Sequence, residues 1–147
     1  MITKVLIAVD GTDCANRALE FGLDLAEKHA AEVTILNVLD LPAYTNPEDP
    51  LSMPANMTGF VKDLRIAHQE ILDKANQKAA RLKPNLKVIA ELREGNPPTQ
   101  IVLTAAEGNY DVIVLGHGSE GTIREMFLGG TSERVAHLAR CAVLIVK

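Results

Sequence analysis

Lys4–Asp10, "KVLIAVD", is a run of apolar, mostly β-branched residues with no polar alternation. Successive side chains of a strand point to opposite faces, so such a run needs apolar cover on both sides. "YDVIVLG" (Tyr110–Gly116) and "CAVLIVK" (Cys141–Lys147) share this character. Between these runs the period becomes helical. After the polar "GTD", Ala15, Ala18, Leu19, Gly22, Leu25 and Ala26 fall on one stripe, and Thr12 or Asp13 can cap its start. Glu32–Asp40, "EVTILNVLD", reads as a second strand. From about Phe60, the residues Leu64, Ala67, Ile71, Ala75, Ala79 and Leu82 keep a helical period. Leu86–Arg93 alternates, with Leu86, Val88, Ala90 and Leu92 on one face, as in a half-covered edge strand. Asn96 followed by two prolines can open a third helix, which Gly108 can end, and "TSERVAHLAR" is a fourth. The order β-α-β-α-β-α-β-α-β predicts a single α/β domain over residues 1–147, an open parallel sheet with helices on both faces.

Composition narrows the function classes. The chain has 147 residues, 47% apolar and 23% charged, which suits one globular domain. Tryptophan is absent and aromatics are 3%, so Val, Ile, Leu and Ala must build the core. A net charge of −4 argues against general nucleic-acid binding but not against a small anion held by local groups. Cys14 and Cys141 form no CxxC pair and read as small apolar thiols in a reducing compartment. The apolar run before Asp10 is too short for a signal peptide, and no run approaches the ~20 residues that span a bilayer. A cytoplasmic protein without membrane contact is expected. Residues 41–59 hold four prolines and no regular period, as in a long loop or lid.

In an open parallel sheet, ligands bind beyond the carboxyl ends of the strands where the strand order reverses. The apolar runs at Lys4–Asp10 and Tyr110–Leu115 are the expected central neighbours, which would set Asp10 beside Gly116 at that crevice. Glycines at 116, 118, 121, 129 and 130 follow. They read either as a backbone cradle for phosphate or as a loose connector. Gly129, Gly130, Thr131 and Ser132 stand at the start of the fourth helix, where the hydroxyls can donate to phosphate or cap the helix. His117 is either a phosphate contact or a solvated loop residue, and Arg124 either folds over a triphosphate or makes surface ion pairs. Asp10 can hold Mg²⁺ jointly with phosphate oxygens, or simply cap the next turn. His29, His68 and His137 fall in helical segments and read as surface residues.

The element order, "VLIAVDGT", "GNPPTQIV" and the final "VIVLGHGSEGTIREMFLGGTSERVAHLARCAVLIVK" resemble the universal stress protein family over essentially the whole chain. The resemblance implies a Rossmann-like sandwich with a five-stranded parallel sheet in the order 3-2-1-4-5. One branch of that family binds ATP through Gly, two residues, Gly, nine residues, Gly, then Ser or Thr; another branch lacks the pattern. Gly116 and Gly129 match the first and third glycines, whereas Ser119 stands at the second and Gly130 at the Ser/Thr position. Gly118, Thr131 and Ser132 lie beside the departing positions. Asp10 matches the acidic residue near ribose, phosphate or metal, Ala8 and Val9 match residues beside the base, and Val38 matches the apolar position whose backbone meets adenine. A positive φ at Ser119 would cost about 1–2 kcal/mol, and a lost phosphate hydrogen bond about 1 kcal/mol more. Together these weaken a site by roughly tenfold to a hundredfold without erasing it.

The expectation is an ATP- or adenine-nucleotide-binding regulatory module of the stress response, with Mg²⁺ as an accompanying ion. The alternative is a dimeric adaptor of the same fold that binds no nucleotide and acts through an unidentified protein partner. Neither a GxSxG elbow nor a GxxxxGK[ST] loop occurs, and no nucleophile, base and orienter stand at recognisable spacing. Any ATP hydrolysis is expected to be slow and incidental. The last strand would lie at a bare sheet edge, which invites pairing with another chain. The resemblance implies antiparallel pairing of that strand across a two-fold homodimer.

Overall fold

The computed structural model describes residues 1–41, 55–118 and 130–147. Five strands, β1 (Lys4–Ala8), β2 (Glu32–Leu39), β3 (Val88–Glu94), β4 (Val112–Gly116) and β5 (Ala142–Val146), form one sheet in the order β3-β2-β1-β4-β5. All four strand pairings are parallel. The helices are α1 (Asp13–His29), α2 (Ala55–Leu82), α3 (Pro97–Glu107) and α4 (Thr131–Leu138). This is the architecture expected from the alternation of buried runs and helical periods. None of the described helices is long and apolar enough to cross a membrane.

The two faces of the sheet carry separate apolar cores. Val5, Ile7 and Val9 from β1, with Val33, Ile35, Val112 and Val114, pack under Ala18, Leu19 and Leu23 of α1 and Leu72, Ala75 and Ala79 of α2. On the opposite face, Leu6, Leu36, Ile113 and Leu115 pack under Ile101 and Ala105 of α3 and Val135 of α4. Burial of these side chains supplies the main stabilisation, at about 25 cal/mol per Å² of apolar surface.

Local signals set most helix ends. Thr12 caps α1, its hydroxyl accepting from the Ala15 amide, and Ala30 closes the helix in the left-handed region at φ 52°. Asn96 caps α3 by accepting from the Thr99 amide, and proline occupies the first turn. Helix α2 departs from the expected pattern. It starts at Ala55 rather than near Phe60. Ala67 and Leu82 lie on its exposed side, while Val61, His68, Leu72, Ala75 and Ala79 face inward or are half-buried. His68 occupies a core-facing position that a purely apolar count skips. The expectation of a surface histidine there was wrong.

Candidate crevice at the strand reversal

The seam between β1 and β4 opens at its carboxyl end. The two strands pair only as far as Ile7 opposite Val114. Beyond that, β4 runs on to Gly116 opposite Val146 with β5 alone, while Ala8 pairs with Leu36 of β2. Diverging neighbours at the point of strand reversal leave a crevice where parallel sheets bind ligands.

On the β1 side, Asp10 is exposed and its Oδ1 accepts from both the amide (3.0 Å) and the hydroxyl (2.6 Å) of Thr12. The carboxylate therefore braces the turn that starts α1. Gly11 takes φ +85°, and a Cβ there would stand 3.2 Å from Ile71 of α2. The turn is thus wedged against α2 as well as capped by Thr12.

On the β4 side, a Cβ on Gly116 would lie 2.9 Å from the carbonyl carbon of Cys14 and 3.0 Å from the Ala15 nitrogen. The strand end touches the main chain of α1, and only glycine allows that approach. The His117 side chain is exposed, and its amide donates to Val146 O at 2.8 Å and lies 3.1 Å from Cys14 Sγ. The buried Cys14 thiol donates to the same Val146 carbonyl at 3.1 Å. Gly118 takes φ +118°, with open space where a Cβ would point. Ser132, 3% exposed, donates its hydroxyl to His117 O at 3.0 Å. Its proton is thereby committed to joining α4 to the end of β4. Thr131 is exposed, and Gly130 is an extended N-cap without a side-chain hydrogen bond. Ser119, Gly129, Gly121 and Arg124 lie outside the described residues, as do positions 42–54 of the expected loop or lid. Among the described residues, no three His, Cys, Asp or Glu side chains gather as a metal site.

The carboxyl ends of β1 and β2 are also splayed. Val33 N donates to Lys87 O and Gly95 N donates to Leu39 O, so odd-numbered residues of β2 turn their main-chain groups toward β3. Even-numbered ones, including Leu36 and Val38, turn theirs toward β1. Val9 N duly donates to Leu36 O at 2.9 Å. The next rung would join Val38 N to Val9 O, but Val9 O instead accepts from the side-chain Nδ2 of Asn37 at 2.7 Å. The Val38 main-chain groups therefore face the gap, with no main-chain hydrogen bond to β1 among the described residues. Ala8 and Val38 side chains pack on the α3–α4 face, and Val9 on the α1–α2 face.

Asn37 is 1% exposed, and its Oδ1 lies 2.5 Å from His68 Nδ1. A carbonyl can only accept, which fixes the amide orientation, and Oδ1 in turn requires a proton on His68 Nδ1. Sequence reading passed over Asn37 and the bonding of Cys14, and took His68 for a surface residue. A polar residue inside a strand and a histidine inside a helix become a pair only once α2 lies on β2.

The Universal stress protein family model matches residues 1–147. A universal stress protein of Methanothermobacter thermautotrophicus is 33% identical over 149 residues, covering 100% of this chain and 97% of that protein. Among solved structures, a universal stress protein in complex with cAMP superposes with TM-score 0.73 at 22% identity, covering 99% of this chain and 97% of the other. One from Archaeoglobus fulgidus in complex with dAMP does so with TM-score 0.67 at 24% identity, covering 100% and 98%. With a sheet in the order 3-2-1-4-5, a crevice at the strand reversal and a full-length family match, the chain belongs to the universal stress protein family.

Proposed function

We propose that the chain binds an adenine nucleotide, ATP or a close relative, in the crevice between β1 and β4 and acts in the cytoplasm as a regulatory module of the stress response. The carrying observation is the outward-facing main chain of Val38 beside Ala8 and Val9, where the rung to β1 is missing. Among the described residues the Val38 N–H and C=O have no main-chain partner on β1, and an N–H next to a C=O matches the acceptor and donor on the edge of adenine. The cAMP and dAMP complexes of proteins with this fold support the same reading.

Across the gap, the Gly116–Gly118 backbone, Gly130 and the exposed Thr131 form the phosphate side, with the N-terminus of α4 adding its unpaired amides. The Asp10 carboxylate stands at the same rim and is suited to share Mg²⁺ with a nucleotide's phosphates. Ser119 and Gly129 complete the set implied by the family pattern; His117 stands beside it, and Ser132, whose hydroxyl donates to His117 O, can contribute its main-chain amide. Bound nucleotide would supply a conformational signal rather than a reaction, and ATP turnover would be slow and incidental.

Calorimetry with AMP, cAMP and ATP, with and without Mg²⁺, tests this reading. Micromolar to high-micromolar binding of at least one supports it. Absence of heat at millimolar nucleotide over several temperatures rejects it and leaves the adaptor reading.

One observation favours a homodimer under either reading. The hydrogen bond from the His117 amide to Val146 O turns the main chain of Val146 toward β4, so Val143 and Ile145 turn theirs outward. Ala142–Val146 carries no charge at this edge. Antiparallel pairing with a second copy would satisfy those groups. Ile145→Pro removes only an outward N–H and is expected to give folded monomer by sedimentation. An unchanged dimer mass rejects pairing through this strand.

A further inference from the structure

We infer that Asn37, held by His68, is a positioning residue that keeps the β1–β2 gap open for the base. This inference rests on the nucleotide reading and names what sets its base selectivity. Regular pairing of β1 with β2 proceeds from Lys4 opposite Glu32 to Ala8 opposite Leu36, and then one more rung through Val9 N. Val9 O is the next acceptor, and in an unbroken parallel ladder the Val38 amide would take it. Asn37 Nδ2 takes it instead, at 2.7 Å, from the α1–α2 side of the sheet. The substitution satisfies a buried carbonyl, so β1 can leave the sheet without an unpaired acceptor. It also leaves the Val38 N–H and C=O facing the crevice.

A side-chain amide can do this only when its orientation is fixed. Rotating Asn37 by half a turn would set Oδ1 against the Val9 carbonyl, two acceptors facing each other. The Val9 carbonyl, which can only accept, fixes the orientation, and His68 Nδ1, in the tautomer that carries its proton there, adds a donor to Oδ1 at 2.5 Å. His68 lies on α2, one turn from Ile71, which contacts the Gly11 turn. The same helix therefore presses on the turn after β1 and holds the amide that spreads β1 from β2. Because the base end of a nucleotide would read the Val38 main chain, the spacing set by Asn37 decides which base edge fits.

The experiment measures the ratio of ATP to GTP affinity, which a change in global stability leaves unmoved in folded protein. Wild-type protein is expected to prefer ATP. Asn37→Leu keeps the side-chain shape and lacks both polar groups; it should lower the preference by about tenfold. His68→Ala should act in the same direction, and His68→Gln, which keeps an N–H for Oδ1, should restore most of the preference. Amide hydrogen exchange gives a readout that needs no nucleotide. Val38 N–H should exchange faster than Leu36 N–H in the wild type and become protected in Asn37→Leu as the ladder closes. An ATP preference that survives Asn37→Leu unchanged, or a Val38 amide already as protected as Leu36 in the wild type, overturns the assignment. Wild-type protein that binds neither nucleotide while showing the exchange contrast removes the nucleotide reading instead, and the base-selecting role with it.

Discussion

The strands β1 and β4 run side by side, yet their two ends are built on opposite principles. At the amino end, Asp111 ties them together. Its Oδ2 accepts from the Thr3 amide at 2.7 Å, the Thr3 hydroxyl at 3.0 Å and the Lys4 amide at 2.9 Å. Lys4 extends from there to the Gly108 carbonyl and lies 4.5 Å above the centre of the Tyr110 ring, while Tyr110 shares a 2.6 Å hydrogen bond with the buried Thr34 hydroxyl. At the carboxyl end the pairing stops at Ile7 and Val114. There a side-chain amide stands in for a ladder rung, and glycine meets helix backbone. At the lower end Asp111 and Lys4 close the seam, whereas the upper end leaves the Val38 main chain of the neighbouring β2 facing a gap. The upper end therefore couples stability to ligand access through the packing of Gly116 on α1, whereas the lower end bears on stability alone, and mutations should show that difference.

The largest effect is expected at the upper end, from Gly116→Ala. The added Cβ would sit 2.9 Å from the Cys14 carbonyl carbon and 3.0 Å from its oxygen. Both belong to the backbone of a capped helix and cannot swing aside. Overpacking of this kind costs about 1–3 kcal/mol. For a domain of this size that lowers the thermal midpoint by roughly 4–10 °C. Nucleotide affinity should fall as well, because the strand end must move. A midpoint within a degree of wild type would mean that the β4 end has slack, and that the contrast between the two ends is overstated.

Asp111→Ala tests the lower end and should be milder. Hydrogen bonds from the Thr3 amide, then the Lys4 amide and the Thr3 hydroxyl, hold the Asp111 carboxyl below its ordinary range. A carboxyl depressed on folding stabilises the native state above its unfolded pKa, and that contribution disappears as pH falls through the folded value. Asp111→Ala should therefore melt below wild type at neutral pH, with the difference narrowing as the solution becomes acid. Nucleotide binding in the folded fraction should be unchanged. A gap in midpoint that stays constant from neutral pH into acid would show that the ionised carboxylate is not what closes this end.

The sequence made one of these ends far easier to anticipate than the other. Uniform apolar runs at Val5–Ile7 and Val112–Leu115 announce strands buried on both faces, and from that follow parallel pairing and a central seam. The family pattern then points to Gly116 and Asp10 at its carboxyl end. Other features require contacts that no local pattern encodes. Asp111 reads as one more residue of "YDVIVLG", although its partners lie 107 and 108 positions away. His68 holds a core-facing site on α2 where an apolar count expects Ala67 to lie. Asn37 looks like an interruption in "EVTILNVLD" until Val9 and His68 close on it from two directions. Gly116 was expected to provide freedom of backbone near a ligand; its immediate constraint is the main chain of α1.

The smallest effect is expected from Gly130→Ser, and it carries the comparison into the site itself. Gly130 caps α4 at φ −61° and ψ −179°, extended backbone that any residue adopts, and among the described residues nothing stands in its side-chain direction. Nothing in this geometry demands glycine, unlike the contact at Gly116. Serine is a better N-cap than glycine by a few tenths of a kcal/mol, because its hydroxyl can accept from an amide of the first helical turn. The thermal midpoint should rise by about 1 °C. The substitution also restores the Ser/Thr position of the nucleotide-binding pattern. If phosphate sits at the start of α4, ATP affinity should rise several-fold, on the order of one added hydrogen bond. A gain in stability without a gain in affinity would place the phosphates away from this helix and leave the Gly116–Gly118 backbone as their principal contact. A loss of stability would mean that the open space beside Gly130 is filled in solution, and that the upper end is more tightly closed than the splayed strands imply.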